Sequence, residues 1–422
     1  MGTTSGYDVI VVGARVAGAA TAMLLARQGL RVLAVDRARF PSDTLSTHQV
    51  QVPGISRLVR WGLLDALAAA GTPATRRVRL DFGPVVLKGC FPPYAGADAL
   101  YSPRRTVLDA LLVDAARAAG AEVREGYFVD EVLWAGSRVV GIRGHARGKP
   151  AAAEAGRLVV GADGKHSLVA DAVAAPTYRH RPAATLACYS YWSGVDLPAG
   201  ELYQRSGRAV AAFPTNDDLA MVYVAAPIAE FSAFRSDLEG HYLKALDQCG
   251  DLGDRVRAGR RAERLRTTPD LPNYVRVPTG PGWALVGDAG LVMDPVTAQG
   301  IGNALRDAEV LADAVMAALG GGQPPDAQLA SYHRRRDAAS LEMFDFTVNL
   351  AALRPSRAAD QRLLASLQGR PAEIDRFLGV FAGITPIRAY RSPANIARIL
   401  GLRGLASMAA AALGQSLRGS SG

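Results

Sequence analysis

The sequence predicts an α/β fold in which a domain built on a parallel sheet is interrupted by an antiparallel-sheet domain and followed by a C-terminal helical region. Three observations predict it. Residues 7–36, YDVIVVGARVAGAATAMLLARQGLRVLAVD, read as strand, glycine turn, helix and strand. From Tyr178 to about Tyr274 the chain changes to strand runs separated by turn residues. At Trp283 a short apolar strand returns in GWALVGDAG and leads into a long helix, so the chain re-enters the first domain. The expected boundaries are 1–75, 98–178 and 275–335 for the nucleotide domain, 76–97 and 179–274 for the inserted sheet, and 336–422 for the helical region. With 422 residues, 49% hydrophobic and 21% charged, the chain can support one to three cores.

In the opening stretch, Val9 to Val12 form a β-branched run bounded by Gly13, as in a strand buried on both faces. Ala17 to Arg27 is rich in Ala and Leu and closes at Gly29, a helix with a glycine stop. Arg31 to Val35 resumes the strand pattern, and Asp36 stands at its end. This is a complete Rossmann-like βαβ unit of about 30 residues. Its turn runs from Gly13 to Gly18, with Ala17 inside it, and brings the positive end of a helix to where a pyrophosphate can sit. Asp36 is placed to accept from ribose hydroxyls. The turn reads GARVAG, so Arg15 replaces the glycine that normally lets the backbone approach the pyrophosphate. Arg15 must approach differently or pair with the phosphates directly. An ordinary surface arginine on a plain βαβ unit is the competing reading.

The net charge of +9 would admit nucleic acid, but its distribution argues against it. Lysine occurs only at positions 88, 149, 165 and 244, and the arginines are scattered, with Arg334 to Arg336 the longest run. Cys90, Cys188 and Cys249 have no paired spacing, so neither a disulfide framework nor a zinc site, nor any other metal, is expected. There is no signal-like start, and the longest C-terminal apolar stretch, Gly404 to Gly414, is far too short to span a bilayer. The expectation is a soluble cytoplasmic protein with no integral membrane segment. The oligomeric state is left open.

Along the chain, a helix is expected from Pro53 toward Leu67, and the loop before it offers Ser46, Thr47, His48 and Gln49 as nucleotide contacts or as caps. Residues 76–95 read as exposed antiparallel strands. Leu100 to Gly120 reads as a helix with Leu108, Leu111, Leu112 and Ala115 on one stripe. A parallel strand and a hairpin follow, then a polar, Ala-rich turn between Ala146 and Gly156 and a third buried strand. LACYSYWSGV, ELYQRSGRAVAAF and LAMVYVAA are strand runs, with a turn in PTNDD at 214–218 and helices near 230–248 and 251–263. The helix after Trp283 carries Leu305, Ala308, Ala312, Val315 and Leu319 on one face and stops at Gly320 to Gly322.

Three motifs in this order, GARVAG with Asp36, GADGKHS at 161–167 and GDAGLVMDPVTAQGIG at 287–302, resemble the para-hydroxybenzoate hydroxylase-type (group A) FAD monooxygenases, whose relatives include geranylgeranyl reductases and flavin-dependent halogenases. The resemblance covers most of residues 7–335 and implies a Rossmann-like FAD-binding domain. It implies that Asp36 and Arg37 hold the AMP ribose, and that Arg105 of RRTVLDALL reaches the phosphates or ribityl chain. The backbone at Val129 would meet the adenine, and Asp163 would organise the pyrophosphate region. Asp288 would accept from a ribityl hydroxyl, and Pro295, Gly300 and Ile301 would lie at the isoalloxazine. The last motif also has its own rationale: a helix opening at Gly300 can direct free N–H groups at a flavin edge that becomes negative on reduction.

The resemblance implies an enzyme that hydroxylates or epoxidises a largely apolar or aromatic small molecule through a flavin C4a-hydroperoxide, with NAD(P)H as transient reductant and O2 as partner. No residue emerges as the catalytic acid or base. Tyr189, Tyr191 and Tyr223 on the inserted sheet are the candidate substrate contacts, with core packing as the alternative. A C=C reductase of the geranylgeranyl reductase type competes, because its relatives carry an F-P element and Phe213-Pro214 is similar. A halogenase fits less well, since the W-x-W-x-I-P motif is missing and Lys88 alone stands for the catalytic lysine. A non-catalytic flavin-binding protein is the fourth reading.

Overall fold

The computed structural model describes residues 6–320 and 325–401. These divide into two units. The first holds the described residues up to Pro73, Tyr101–Ala183 and Asp270–Val348, and the second Ala74–Leu100, Ala184–Pro269 and those from Asn349 onward.

In the first unit, β1 (Tyr7–Val12), α1 (Val16–Arg27) and β2 (Val32–Asp36) form the βαβ element. Val9 to Val12 and all of β2 are buried, as their β-branched sequences require. The segment expected as one helix is two, α2 (Val52–Arg60) and α3 (Leu64–Ala69), because Gly62 takes a positive φ of 74° and ends the first. α4 (Arg105–Ala118) starts later than expected, after Pro103, and buries Leu108 and Leu112 while Leu111 and Ala115 are half-buried.

β3 (Glu122–Glu125) joins the parallel sheet, and β4 (Tyr127–Ala135) with β5 (Arg138–Ala146) makes the expected hairpin. The Ala-rich turn is shorter than read, because β6 (Ala152–Gly161) already begins inside it. Its first half pairs antiparallel with β5 and its second half parallel with β1, so the alanines lie in a ladder that hydrophobic periodicity does not register. After α5 (Leu168–Ala172), β7 (Trp283–Leu285) closes the parallel order β3-β2-β1-β6-β7. α6 (Gly300–Leu319) and α7 (Pro325–Ala351) complete the unit's helices. In α6, Leu305, Ala308, Ala312 and Val315 are buried as expected and Leu319 is half-buried.

The units part between Val348 and Asn349, in the last turn of α7, rather than at 335–336. The expected stop at Gly321 and Gly322 and the stretch Gly404 to Gly414 lie outside the described residues.

The second unit is a seven-strand path in the order Arg260–Arg261, Thr185–Ser193, Leu219–Pro227, Arg208–Thr215, Gly200–Arg205, Arg77–Asp81 and Val86–Cys90. ELYQRSGRAVAAF is a hairpin rather than one run, turning at Ser206-Gly207 where Gly207 has φ 71°. The next turn is tighter than PTNDD: Thr215 still pairs with Leu219, and Asp217 and Asp218 both take positive φ, as a type I′ turn demands. The last helix expected here stops at Ala258, since Arg260–Arg261 pairs with Trp192 and Ser193. One face of the sheet, including Leu186, Cys188, Val210, Val222 and Val224, packs on Phe234, Tyr242, Leu246, Leu252 and Val256 of the following helices. Strand alternation puts Tyr189, Tyr191, Phe213, Met221 and Tyr223 on the other face.

Candidate functional site

The turn between β1 and α1 is shaped by two glycines that no other residue can replace. Gly13 has φ 96°, and a Cβ there would stand 2.4 Å from the Ala162 carbonyl oxygen. A Cβ on Gly18 would stand 1.8 Å from the Gly13 carbonyl oxygen, so the helix can approach its strand only with glycine. Ala17, between them, is buried. Arg15 needs no such freedom, since its φ of −80° and ψ of −162° are extended backbone. It stands at the start of α1, whose first turn has neither a side-chain cap nor an acidic residue.

The Arg15 guanidinium is already engaged. Its Nη1 donates to Asp109 Oδ2 at 2.5 Å and to the Ser42 carbonyl, and its Nη2 to Ser42 Oγ at 3.0 Å and the Asp43 carbonyl. Arg105, one helical turn before Asp109, donates Nε and Nη2 to the same carboxylate at 3.0 and 3.1 Å. Asp36 sits at the end of β2, its two oxygens accepting from the amides of Ala14 and Ala38, each at 2.7 Å. A carboxylate oxygen retains a further lone pair for another donor. Arg37 beside it is exposed. Thr47 is half-buried and His48 fully buried, with φ 61°, in a tight turn where Gln49 N donates to the Thr47 carbonyl at 2.8 Å. Val129 is half-buried in β4 and packs on the core under the sheet.

The second and third motifs meet. Asp163 accepts from Ser167 Oγ at 2.5 Å and from Val169 N at 3.2 Å, and burial nevertheless pushes its carboxyl above the usual value. Tyr274 OH bonds the carbonyls of Lys165 at 2.7 Å and Asp288 at 3.0 Å and so ties the two loops together. Asp288 is exposed to solvent yet enclosed by enough protein that desolvation raises its pKa, against the opposing pull of Arg105 and Lys165. Exposure together with enclosure is the mark of a concave wall. No hydrogen bond reaches its side chain among the described residues.

Further along, Pro295 opens a single 3-10 turn capped by the Asp294 side chain, and Gln299 leads into α6 without a side-chain cap. A Cβ on Gly300 or Gly302 would meet nothing within 4 Å, so the first turn of this 20-residue helix faces open space on that side, while Ile301 is buried. Behind it α2 approaches closely, a Cβ on Gly54 falling 3.3 Å from Gly302 Cα.

A flavin dinucleotide fits this set. The glycine cradle suits a pyrophosphate, Asp36 and Asp288 suit ribose and ribityl hydroxyls, and the uncapped helix start suits a ring edge that gains negative charge. Three amide side chains, each more than nine-tenths buried, have an atom without a partner among the described residues: Gln49 Nε2, Gln51 Oε1 and Asn303 Nδ2. Gln51 precedes α2 and Asn303 lies in the first turn of α6, so buried polar groups with donor or acceptor capacity to spare border the helix start.

Sequence reasoning named neither Asp109 nor Tyr274. Asp109 was findable, standing four residues after Arg105 on a helix. Tyr274 lies in a short strand 109 residues from Lys165, and no local signal marks it. Tyr189, Tyr191 and Tyr223 belong to the second unit, where Tyr189 and Tyr223 are direct cross-strand partners and the Tyr189 and Tyr191 rings meet edge to face at 5.9 Å.

Residues 6–347 match the family described as FAD binding domain. Among curated proteins the chain is 25% identical to a tryptophan 2-halogenase of Chondromyces crocatus over 75% of its own length and 62% of that protein's. It is 27% identical to a digeranylgeranylglycerophospholipid reductase of Methanocella arvoryzae, over 78% of this chain and 82% of the other. It is also 27% identical to the rifampicin monooxygenase of Streptomyces venezuelae, over 86% and 75%. A flavin-dependent brominase structure shares the fold with a TM-score of 0.77 at 19% identity, over 93% of this chain and 97% of the brominase.

Proposed function

The chain belongs to the FAD binding domain family, and from that membership we propose that it is an NAD(P)H-driven monooxygenase of a largely apolar or aromatic small molecule. That it is an FAD-dependent oxidoreductase follows from the family itself, whose members related to this chain include a monooxygenase, a reductase and a halogenase. The chemistry that FAD would supply there is acceptance of two electrons from NAD(P)H and activation of O2, with one oxygen atom going to the substrate and the other to water.

In this reading Gly13, Arg15, Ala17 and Gly18 form the pyrophosphate turn, and Asp36 with Arg37 takes the ribose. Thr47, His48 and Val129 border the nucleotide, and Asp163 stiffens the loop beside it. Asp288 accepts from the ribityl chain, while Pro295, Gly300 and Ile301 flank the ring and the α6 start supplies fixed N–H donors. The second unit is the substrate-binding domain, with Tyr189, Tyr191 and Tyr223 contributing aromatic surface and hydroxyls.

The observation that favours an oxygenase over a halogenase is the placement of all four lysines. Lys165 is paired with Asp270 at 2.9 Å in the first unit. Lys88, Lys149 and Lys244 are exposed, and Lys88, the lysine on this sheet, alternates onto the face opposite Tyr189, Tyr191 and Tyr223. The F-P pair does not separate the reductase from the oxygenase, because Phe213 lies on the same buried face as Tyr189, Tyr191 and Tyr223 and packs against Gly200, where a Cβ would lie 2.3 Å from its ring.

The test is gas composition. Candidate aromatics are screened for stimulated NAD(P)H oxidation, and the product is then made under labelled O2. One labelled oxygen atom per product, with the anaerobic reaction stopping after flavin reduction, is expected. Repeated anaerobic turnover to a saturated product would overturn the oxygenase and establish the reductase.

A further inference from the structure

The residue that breaks the glycine pattern has a built environment. Arg15 reaches from the nucleotide turn to three other places: the Asp109 carboxylate on α4, Ser42 and Asp43 in the loop after β2, and the Phe40 ring, 5.6 Å from its guanidinium carbon. Asp109 is fully buried, with two guanidiniums on one carboxylate. Its second partner, Arg105, also acts electrostatically on Asp288. One carboxylate thus sets the position of cations bearing on both the turn and the enclosed aspartate.

We propose that Asp109 and Arg15 act as a positioning couple for FAD, in which Arg15 replaces the middle glycine with a strut that fixes the loop after β2 and α4 against the turn before the cofactor binds. The extended backbone at Arg15 permits this, since the position needs no glycine conformation. The bidentate grip of Asp109 on Arg105 leaves its other lone pairs to Arg15, so the two guanidiniums are held apart rather than repelling freely. A loop ordered in advance costs less to order on binding, and the gain appears as affinity.

The couple predicts the reverse of what the family pattern suggests. Arg15→Gly restores G-x-G-x-x-G and would be expected from the pattern alone to improve binding; the strut predicts that FAD dissociates tenfold or more weakly. Asp109→Asn should weaken FAD at least as much, because it also releases Arg105. The double variant should be no weaker than Asp109→Asn alone, since one couple is broken once. Flavin fluorescence titration of apo-protein reads these affinities, and limited trypsin digestion of apo-protein should show several-fold faster cleavage after Arg37 or Arg39 in Arg15→Gly. Arg15→Lys, which keeps the charge but loses the fork, should recover only part of the affinity. If Asp109→Asn does not fold, the two Arg15 variants decide, because that side chain is part exposed. FAD binding by Arg15→Gly as tight as in the parent, losses that multiply in the double variant, or unchanged trypsin cleavage would each overturn the couple.

Discussion

Replacing Asp288 by alanine should move cofactor affinity and apo-protein stability in opposite directions. In the absence of cofactor the Asp288 carboxylate is solvent-exposed, has no protein hydrogen bond among the described residues, and has its pKa raised by desolvation against the opposing pull of Arg105 and Lys165. Removing it should leave the apo-protein unchanged or slightly more stable. If Asp288 holds the ribityl chain as proposed, a ribityl hydroxyl of bound FAD would lose its acceptor, a cost of roughly 1–3 kcal/mol, which is a loss of about 5- to 150-fold in affinity.

The pH dependence has a definite sign. A carboxyl whose folded pKa is raised contributes stability that is full below its unfolded value and is lost as pH rises through the folded value. Asp288→Asn should therefore match the parent in acid and become relatively more stable as pH climbs from the ordinary aspartate value through the raised one. Urea unfolding of apo-protein at a series of pH values and fluorescence titration with FAD measure both effects. Equal FAD affinity in a folded Asp288→Ala variant, or a less stable apo-protein, would refute the assignment.

Other outcomes follow from single contacts. Gly18→Ala puts a methyl 1.8 Å from the Gly13 carbonyl oxygen, so it should destabilise the fold by roughly 1–3 kcal/mol or more in urea unfolding and lower flavin occupancy. Tyr274→Phe removes the hydroxyl shared by two carbonyls, and hydrogen exchange should speed up in residues 163–167 and 287–290 with a stability loss of about 1 kcal/mol. Burial pushes the Cys188 and Cys249 thiols up to about 12, while Cys90 is exposed, so a thiol reagent at neutral pH should titrate one cysteine in native protein and three in denaturant.

The βαβ element was legible because its strands are buried on both faces and its helix is short and glycine-bounded, so local pattern and tertiary role coincide. The same reasoning failed where partners are distant. Ala152 to Ala155 read as a turn because alanine carries no strand signature, and only pairing with β5 makes it a ladder. Gly62 splits a helix through a positive φ that periodicity does not report. In the candidate site, the glycines, Asp36, Asp163 and Asp288 could be named from motifs, whereas the environment of Arg15 depends on a side chain 94 residues away.

β6 takes its first neighbour from nearby sequence and its later ones from far away, which orders the events of folding. The hairpin of β4 and β5 can form and recruit Ala152 to Ala155 as soon as these residues leave the ribosome. The pairing of Val159 with Trp283 must wait until residues 185–268, which supply most strands of the second unit, have been synthesised. Asp288 and Gly300 follow β7, so a nascent chain carries its first glycine turn through most of synthesis without the later part of the candidate site. On the role proposed for the α6 start, a chain cut short before residue 300 should hold flavin more weakly however well its first strands had formed.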